Sequence, residues 1–374
     1  MDSTFTISGG GIFMDFSKLV ITAIFIAVGL IMIMFNFDDD LNEKQKTIGF
    51  IILGDINEPG WNSAHYNGIK AACDKFGLKL LVRDKVKENS GQCTRAIEDL
   101  ASKGCGMIFL ASYSYSIEAQ NLVGKYPDIS FATNSAEVHA RNMTASFVRV
   151  YQGRYLAGAL AGMKTRSNVI GYVAAMSNSE VNRQINAFTL GVQRTNPEAK
   201  VVVKWTDSWQ DEAKEAENAK ELIEKAGADV LTYHQDESAV ADVAEKLGVD
   251  FIAYNSVLEG YSPHYLASVI CHWDSYYIDV VQRYLNGELN SVKNHWIGME
   301  RDAVELGNYS SSITPEMRGK IEEIQRELLA GNTIFLGEIY DNEGHLRCKE
   351  GDSIGDDMLL ERIHWLVRGV EVLD

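Results

Sequence analysis

The chain has 374 residues, enough for two or three domains with full-sized cores. Its formal net charge of −17 denies it the basic surface that nucleic-acid binding requires. With 46% apolar and 23% charged residues it has an ordinary globular composition, which excludes disordered and fibrous architectures.

Residues 19–35 form an uncharged apolar run of 17 residues, at the lower limit for spanning a bilayer. The run ends in Met34-Phe35-Asn36-Phe37 followed by Asp38-Asp39-Asp40, with no small-x-small cleavage site and no Cys to carry a lipid. This favours a single-pass signal anchor over a cleaved signal peptide. Lys18, Lys44 and Lys46 flank it on both sides, so charge alone leaves its orientation open. The Gly9-Gly10-Gly11 run follows no strand and is not a phosphate loop.

From residue 47 strands and helices alternate. Residues 47–54 read as a buried strand, 62–76 as an amphipathic helix, 78–83 as a strand, 93–103 as a helix, and 106–111 and 131–134 as strands. The pattern then repeats, with strands at 169–175, 201–205, 229–233, 251–254 and 266–270. Helices at 181–196, 211–226, 238–247 and 276–286 lie between or after them, and another follows at 315–330. Continuous apolar strands separated by helices indicate parallel sheets covered on both faces. Two α/β halves meet near residues 163–168 without a flexible linker, which points to two lobes around a cleft. Ligands of such sheets bind at the carboxyl ends of the strands, and hinge closure is the established use of the layout.

The loops at those ends hold the candidate ligand-binding residues. They are Asp55, Trp61 and Asn62 after the first strand, Tyr113 after the third, and Asn178, Trp209, His234, Asp236 and Asn255 in the second half. Aromatic faces with neutral amides and a few carboxylates suit a planar polar ligand, stacked on its faces and read at its edges. Each residue also has a plainer use. Trp61 can cover the core below it, Trp209 can staple a helix start, Asp236 can cap the next helix, and a lone His234 is more often structural than a metal ligand. Five cysteines, Cys73, Cys93, Cys105, Cys271 and Cys348, show no C-x-x-C spacing and read as small buried hydrophobes. The motifs of serine hydrolases, zinc peptidases, P-loop NTPases and dinucleotide-binding folds are missing, so the reading is of a non-enzyme with no catalytic residue, metal or cofactor.

Several segments together resemble the basic membrane protein family of ABC-transporter solute-binding proteins, whose best-known members are purine nucleoside receptors. They are residues 60–68 (GWNSAHYNG), 125–131 (KYPDISF), 151–158 (YQGRYLAG), Ser208-Trp209 with the Ala-rich helix after it, and 227–230 (GADV). The resemblance covers about residues 47–374. It implies a two-lobed α/β fold of the periplasmic-binding-protein type I class; the N-terminal transmembrane segment read from the apolar run departs from the family, whose members are usually tethered through a lipidated Cys. Residues 1–18 would be a short leader, 19–37 the anchor and 38–46 a linker. Lobe 1 would take residues 47–164 with about 271–300, and lobe 2 residues 165–270 with about 301–374. It further implies a purine clamped between aromatics, with Trp61 in the place of the family's stacking Phe, Asn62 in that of its base-reading Asn, and Trp209 and Tyr113 at its other aromatic positions.

The sequence departs from the family where sugar is gripped. The ribose-binding Asp and Lys are not evident, and Asn255 and Cys271-His272 occupy those neighbourhoods. The Gly-Trp first loop and the His234/Asp236 pair are more similar to a branch that binds free bases, which implies an adenine-like nucleobase. The implied partners are this small-molecule ligand, an ABC permease with its ATPase, and the membrane, with the globular part on the extracytoplasmic side. A membrane-anchored purine sensor is the alternative. A nucleoside-processing enzyme and a sugar-binding protein are weaker ones.

Overall fold

The computed structural model describes residues 46–57, 61–134, 140–235, 239–255 and 262–373. The apolar run at 19–35 lies outside them. Among the described residues no helix is long and apolar enough to cross a membrane.

The first lobe begins with β1 (Thr47–Ile52), α1 (Trp61–Phe76), β2 (Lys79–Arg83), α2 (Gln92–Ser102) and β3 (Met107–Ala111). It continues through the short α3 (Tyr115–Ala119), β4 (Ser130–Thr133) and β5 (Met143–Val148). There follow α4 (Val150–Lys164), β6 (Val169–Ala174), α5 (Ser179–Thr195), β7 (Lys200–Trp205) and α6 (Glu212–Glu224). Next come β8 (Val230–His234), α7 (Ala239–Leu247), β9 (Asp250–Tyr254) and β10 (Tyr265–Cys271). The chain then runs through α8 (Trp273–Leu285), β11 (Asn294–Ile297), β12 (Val304–Gly307) and α9 (Pro315–Leu329). It ends with the hairpin β13 (Ile339–Tyr340) and β14 (Leu346–Cys348), then α10 (Asp356–Glu361) and β15 (Val370–Val372).

The two large sheets share one winding. The first has the order β11-β5-β4-β3-β1-β2 with every pair parallel. The second has the order β12-β10-β9-β8-β6-β7-β15 and is parallel except for β12. In each, the second strand lies to one side of the first and the third, fourth and fifth to the other, the doubly wound arrangement. Helices cover both faces, so β3 is buried along its whole length and β1 from Ile48 onward.

The chain passes between the sheets three times. It leaves β5 for α4, returns from β10 to α8, which packs on α1, and leaves β11 for β12. Helix α4 packs against α5 and the second sheet. The first crossing therefore falls at about residue 149, and residues 150–164 go with the second lobe rather than the first. The motif at 151–158 is thus a packing motif. A Cβ on Gly158 would stand 1.9 Å from Phe188 O, and one on Gly191 would stand 2.0 Å from Tyr155 O. The three glycines of α4 weaken its helical signal in the sequence, yet two of them are what let α4 and α5 touch backbone to backbone.

The strand β5 was not anticipated either. Its sequence MTASFV carries buried Thr144 and Ser146, and their hydroxyls break the apolar run that marks the other strands.

Substituting Gly158→Ala is expected to destabilise the protein by about 2–3 kcal/mol through overpacking. Gly319→Ala, in α9 with open space around it, should stabilise it by about 0.5–1 kcal/mol. Urea unfolding of the two variants beside wild type measures both.

Candidate ligand-binding cleft

The carboxyl ends of both sheets open into one cleft of about 520 Å³, its solvent-open mouth included. The first-lobe wall consists of Leu53, Trp61, Ser112, Tyr113, Asn134 and Phe147. The second-lobe wall consists of Glu180, Trp209, His234 and Tyr254. Each residue lies at or just beyond the end of a strand or opens the helix that follows one, as the winding requires.

Trp61 is fixed from behind. Its Nε1 donates to Ala111 O at 3.2 Å, tying the start of α1 to the end of β3. Its ring lies 3.8 Å from His65, which lies 3.8 Å from Trp273 on the other lobe crossing. His65 is fully buried, with Nδ1 at 2.7 Å from Tyr277 Oη, and burial holds its pKa well below the usual value. The stack Trp61–His65–Trp273 is therefore neutral and braced, and it presents one aromatic face to the cleft.

Across the cleft, His234 makes edge contacts with Trp209 at 5.9 Å and Tyr254 at 4.9 Å. The Gln235 amide, oriented to donate, reaches Trp209 O at 3.0 Å and fixes the Trp209 loop. Behind them Arg154 is fully buried. It donates to Tyr233 O at 2.8 Å and lies 4.2 Å from the Tyr254 ring centre. Burial, with the charges of Arg154 and Arg183, keeps the His234 pKa well below normal, so the ring is neutral and offers one donor and one acceptor. Its Nδ1 is buried without a partner among the described residues, as is Asn134 Nδ2. Ser112 is held by Glu88, to which its Oγ donates at 2.6 Å, and the Ser114 N–H donates to the same carboxylate at 2.7 Å.

Of the residues anticipated from sequence, Trp61, Tyr113, Trp209 and His234 line the cleft. Asp236 lies outside the described residues. Asn62 is buried, and its Oδ1 accepts from Gly54 N at 3.0 Å, closing the turn after β1 rather than joining the lining. Asp55 accepts from Asn57 N at 2.9 Å and pairs with Lys85 at 2.9 Å, contacts that bring its pKa down to about 2. Asn178 caps α5, accepting from Val181 N at 2.9 Å. Asn255 takes up a left-handed backbone (φ 52°) and accepts from Trp273 Nε1 at 3.2 Å, which ties the end of β9 to the second crossing.

Sequence reasoning missed Leu53, Ser112, Asn134, Phe147, Glu180 and Tyr254. Asn134 and Tyr254 were hidden because the search began after each strand, whereas a strand's last residues already face the cleft, and Phe147 was hidden because its strand β5 was not anticipated. Glu180 reads as an ordinary acid in the first turn of a helix.

All five cysteines are buried and unpaired, and burial raises the Cys73 thiol to about 12 and that of Cys105 to about 11. Among the described residues one group brings metal-ligand atoms together, Asp341, Glu343 and His345. It lies in the β13–β14 hairpin, where Arg347 already pairs with Asp341 at 2.7 Å.

Burial raises the Glu180 carboxyl to about 7, against an attraction to Arg183 that acts downward. Between about pH 4.5 and pH 7 the folded state thus holds a proton that the unfolded state has released, so stability falls as pH rises through that window. The full shift is worth at most about 3 kcal/mol, and partial exposure reduces it to about 1–2 kcal/mol. Glu180→Gln should match wild type near pH 4 and be more stable than it at pH 8, by thermal unfolding of ligand-free protein.

A family model described as ABC transporter substrate-binding protein PnrA-like matches residues 45–335. A purine-binding protein of Brucella abortus is 31% identical over 334 residues, covering 88% of this chain and 94% of that protein. A candidate ABC transporter glucose-binding protein of Haloferax volcanii is 28% identical, covering 86% of this chain and 79% of that protein. Among solved structures, a transcriptional activator of the comK gene from Bacillus halodurans superposes with a TM-score of 0.67 at 24% identity. That match covers 76% of this chain and 99% of the other, and it shows the two-lobed fold.

Proposed function

The chain belongs to the PnrA-like family of ABC transporter substrate-binding proteins, and from that premise we propose that it captures a purine, as an adenine-like base or as a nucleoside, and delivers it to an ABC importer. The observation that carries the reading is the pairing of aromatic walls. Trp61 and Phe147 come from one lobe, Trp209 and Tyr254 from the other, and all four line one cleft. A planar ring between them gains from both faces, while Asn134, His234 and Glu180 meet its polar edges. The Brucella relative, named for purine binding and matched over nearly its full length, supports the same ligand class.

Capture proceeds by closing the lobes about the three crossings, the motion for which such two-lobed binding proteins are built. In this reading the apolar run at 19–35 tethers the protein to the outer face of the membrane, beside the permease and its ATPase. Two further readings have a specific observation each. The fold match to a transcriptional activator suits a tethered purine sensor, and the glucose-binding relative suits a sugar receptor, because aromatic faces also stack on sugars.

Calorimetric titration of the full chain in nanodiscs, dialysed free of carried-over ligand, with adenine, adenosine, guanine, ribose and glucose separates the ligand classes. A purine should bind, and Trp61→Ala and Trp209→Ala should each weaken it about 10- to 100-fold, the range of one lost stacking contact. Binding of glucose or ribose with no response to any purine overturns the purine reading. Uptake of the bound purine that depends on the permease separates transport from sensing.

A further inference from the structure

The cleft continues into a narrow second compartment, about 370 Å³ with its solvent-open mouth included, that no part of the purine reading uses. It shares Tyr113, Asn134, Phe147 and Glu180 with the main cleft, and runs between the β5–β11 edge of the first sheet and helix α5. Five of its lining side chains carry a buried polar atom with no hydrogen-bond partner among the described residues: Asn134 Nδ2, Ser146 Oγ, Arg183 Nε, Asn294 Oδ1 and Trp296 Nε1. Three of these atoms are obligate donors as placed, and the hydroxyl can donate. Such atoms also occur elsewhere, at Gln184, Tyr172 and Tyr284 for example, but five around one space mark a site whose occupant supplies the partners.

Charge narrows the occupant. Arg183 is 3% exposed. Its Nη1 donates to Leu359 O at 2.7 Å, and its guanidinium packs 4.8 Å from the Trp296 ring centre. Among the described residues no carboxylate lies within ion-pair distance of it. Arg149, the other cation on Trp296, is already neutralised by Asp356 at 2.8 Å. Glu180 is the acid of the compartment among its described lining residues, and burial leaves it less than fully ionised at neutral pH. A buried guanidinium with no ion pair among the described residues, balanced only by a part-ionised Glu180 and sharing its compartment with spare donors, favours an anion.

We propose that this compartment is an oxyanion subsite, taking a carboxylate or phosphate group held by Arg183 Nε, Trp296 Nε1, Asn134 Nδ2 and Ser146 Oγ. The group is either a free anion bound beside the ring or an acidic arm carried by it. Only that second choice rests on the purine reading of the main cleft.

The test is saturable thermal stabilisation of the full chain by inorganic phosphate and by acetate, at constant ionic strength. The variants are Ser146→Ala, Trp296→Phe and Trp61→Ala. Stabilisation that saturates, and whose midpoint shifts about tenfold in Ser146→Ala and in Trp296→Phe while surviving in Trp61→Ala, supports the subsite. Stabilisation that never saturates, or that ignores both annex variants, overturns it and leaves water as the occupant. Adenine should bind without displacing phosphate, whereas 9-carboxymethyladenine should displace it if the anion is an arm of the ligand. Phosphate binding with no purine binding keeps the subsite and removes the purine, so the two readings fail separately.

Discussion

The constraint on which everything else rests is that strands in a parallel sheet all end on the same edge. A chain that winds two such sheets, each covered by helices, must gather its loops along two edges, and three crossings turn those edges toward each other. No single motif builds the cleft. Leu53, Asn134, Phe147, His234 and Tyr254 reach it because β1, β4, β5, β8 and β9 stop there. Contact within the second lobe is tight, as the Gly158–Phe188 and Gly191–Tyr155 approaches show.

Within that frame the polar residues divide into those spent on the scaffold and those left for a ligand. Asn62, Asn178 and Asn255 have their side-chain oxygens committed to Gly54, Val181 and Trp273. Asp55 is committed to Asn57 and Lys85. Among the described residues the atoms left without a partner at the cleft and annex include Asn134 Nδ2, His234 Nδ1 and those around Arg183. A site recognised by its unpaired atoms differs from one recognised by residue type, because an Asn in a loop looks the same whether its amide caps a helix or waits for a base.

That difference sets what the sequence could reveal. The alternation of apolar strands and helices carries the architecture, since burial on both faces leaves a period that survives in one chain. The aromatics Trp61, Tyr113 and Trp209 were legible because they follow strands, at the edge where ligands of such sheets bind. Glu180 was not, because an acid in the first turn of a helix already has a use. Helix α4 was not, because its glycines lower its propensity while serving a contact 30 residues away in sequence. Arg183 and Trp296 were out of reach, since they meet only where β11, from late in the chain, lies beside β5 opposite α5.

The same geometry joins the binding face to the hinge. Trp273 is the first residue of α8, directly after the second crossing, and its Nε1 donates to Asn255 at the end of β9. Its ring packs on His65, and His65 packs on Trp61. One run of contacts thus leads from a second-lobe strand end, through the crossing, to the face on which a ring would stack in the first lobe. Because His65 and Trp273 are buried and close-packed, Trp61 has no space to retreat into, and a ring placed on it is met by a surface backed by the crossing itself. In the capture proposed above, closure of Trp209 and Tyr254 over that surface would bring together two walls already braced in place, so that little side-chain freedom would have to be lost.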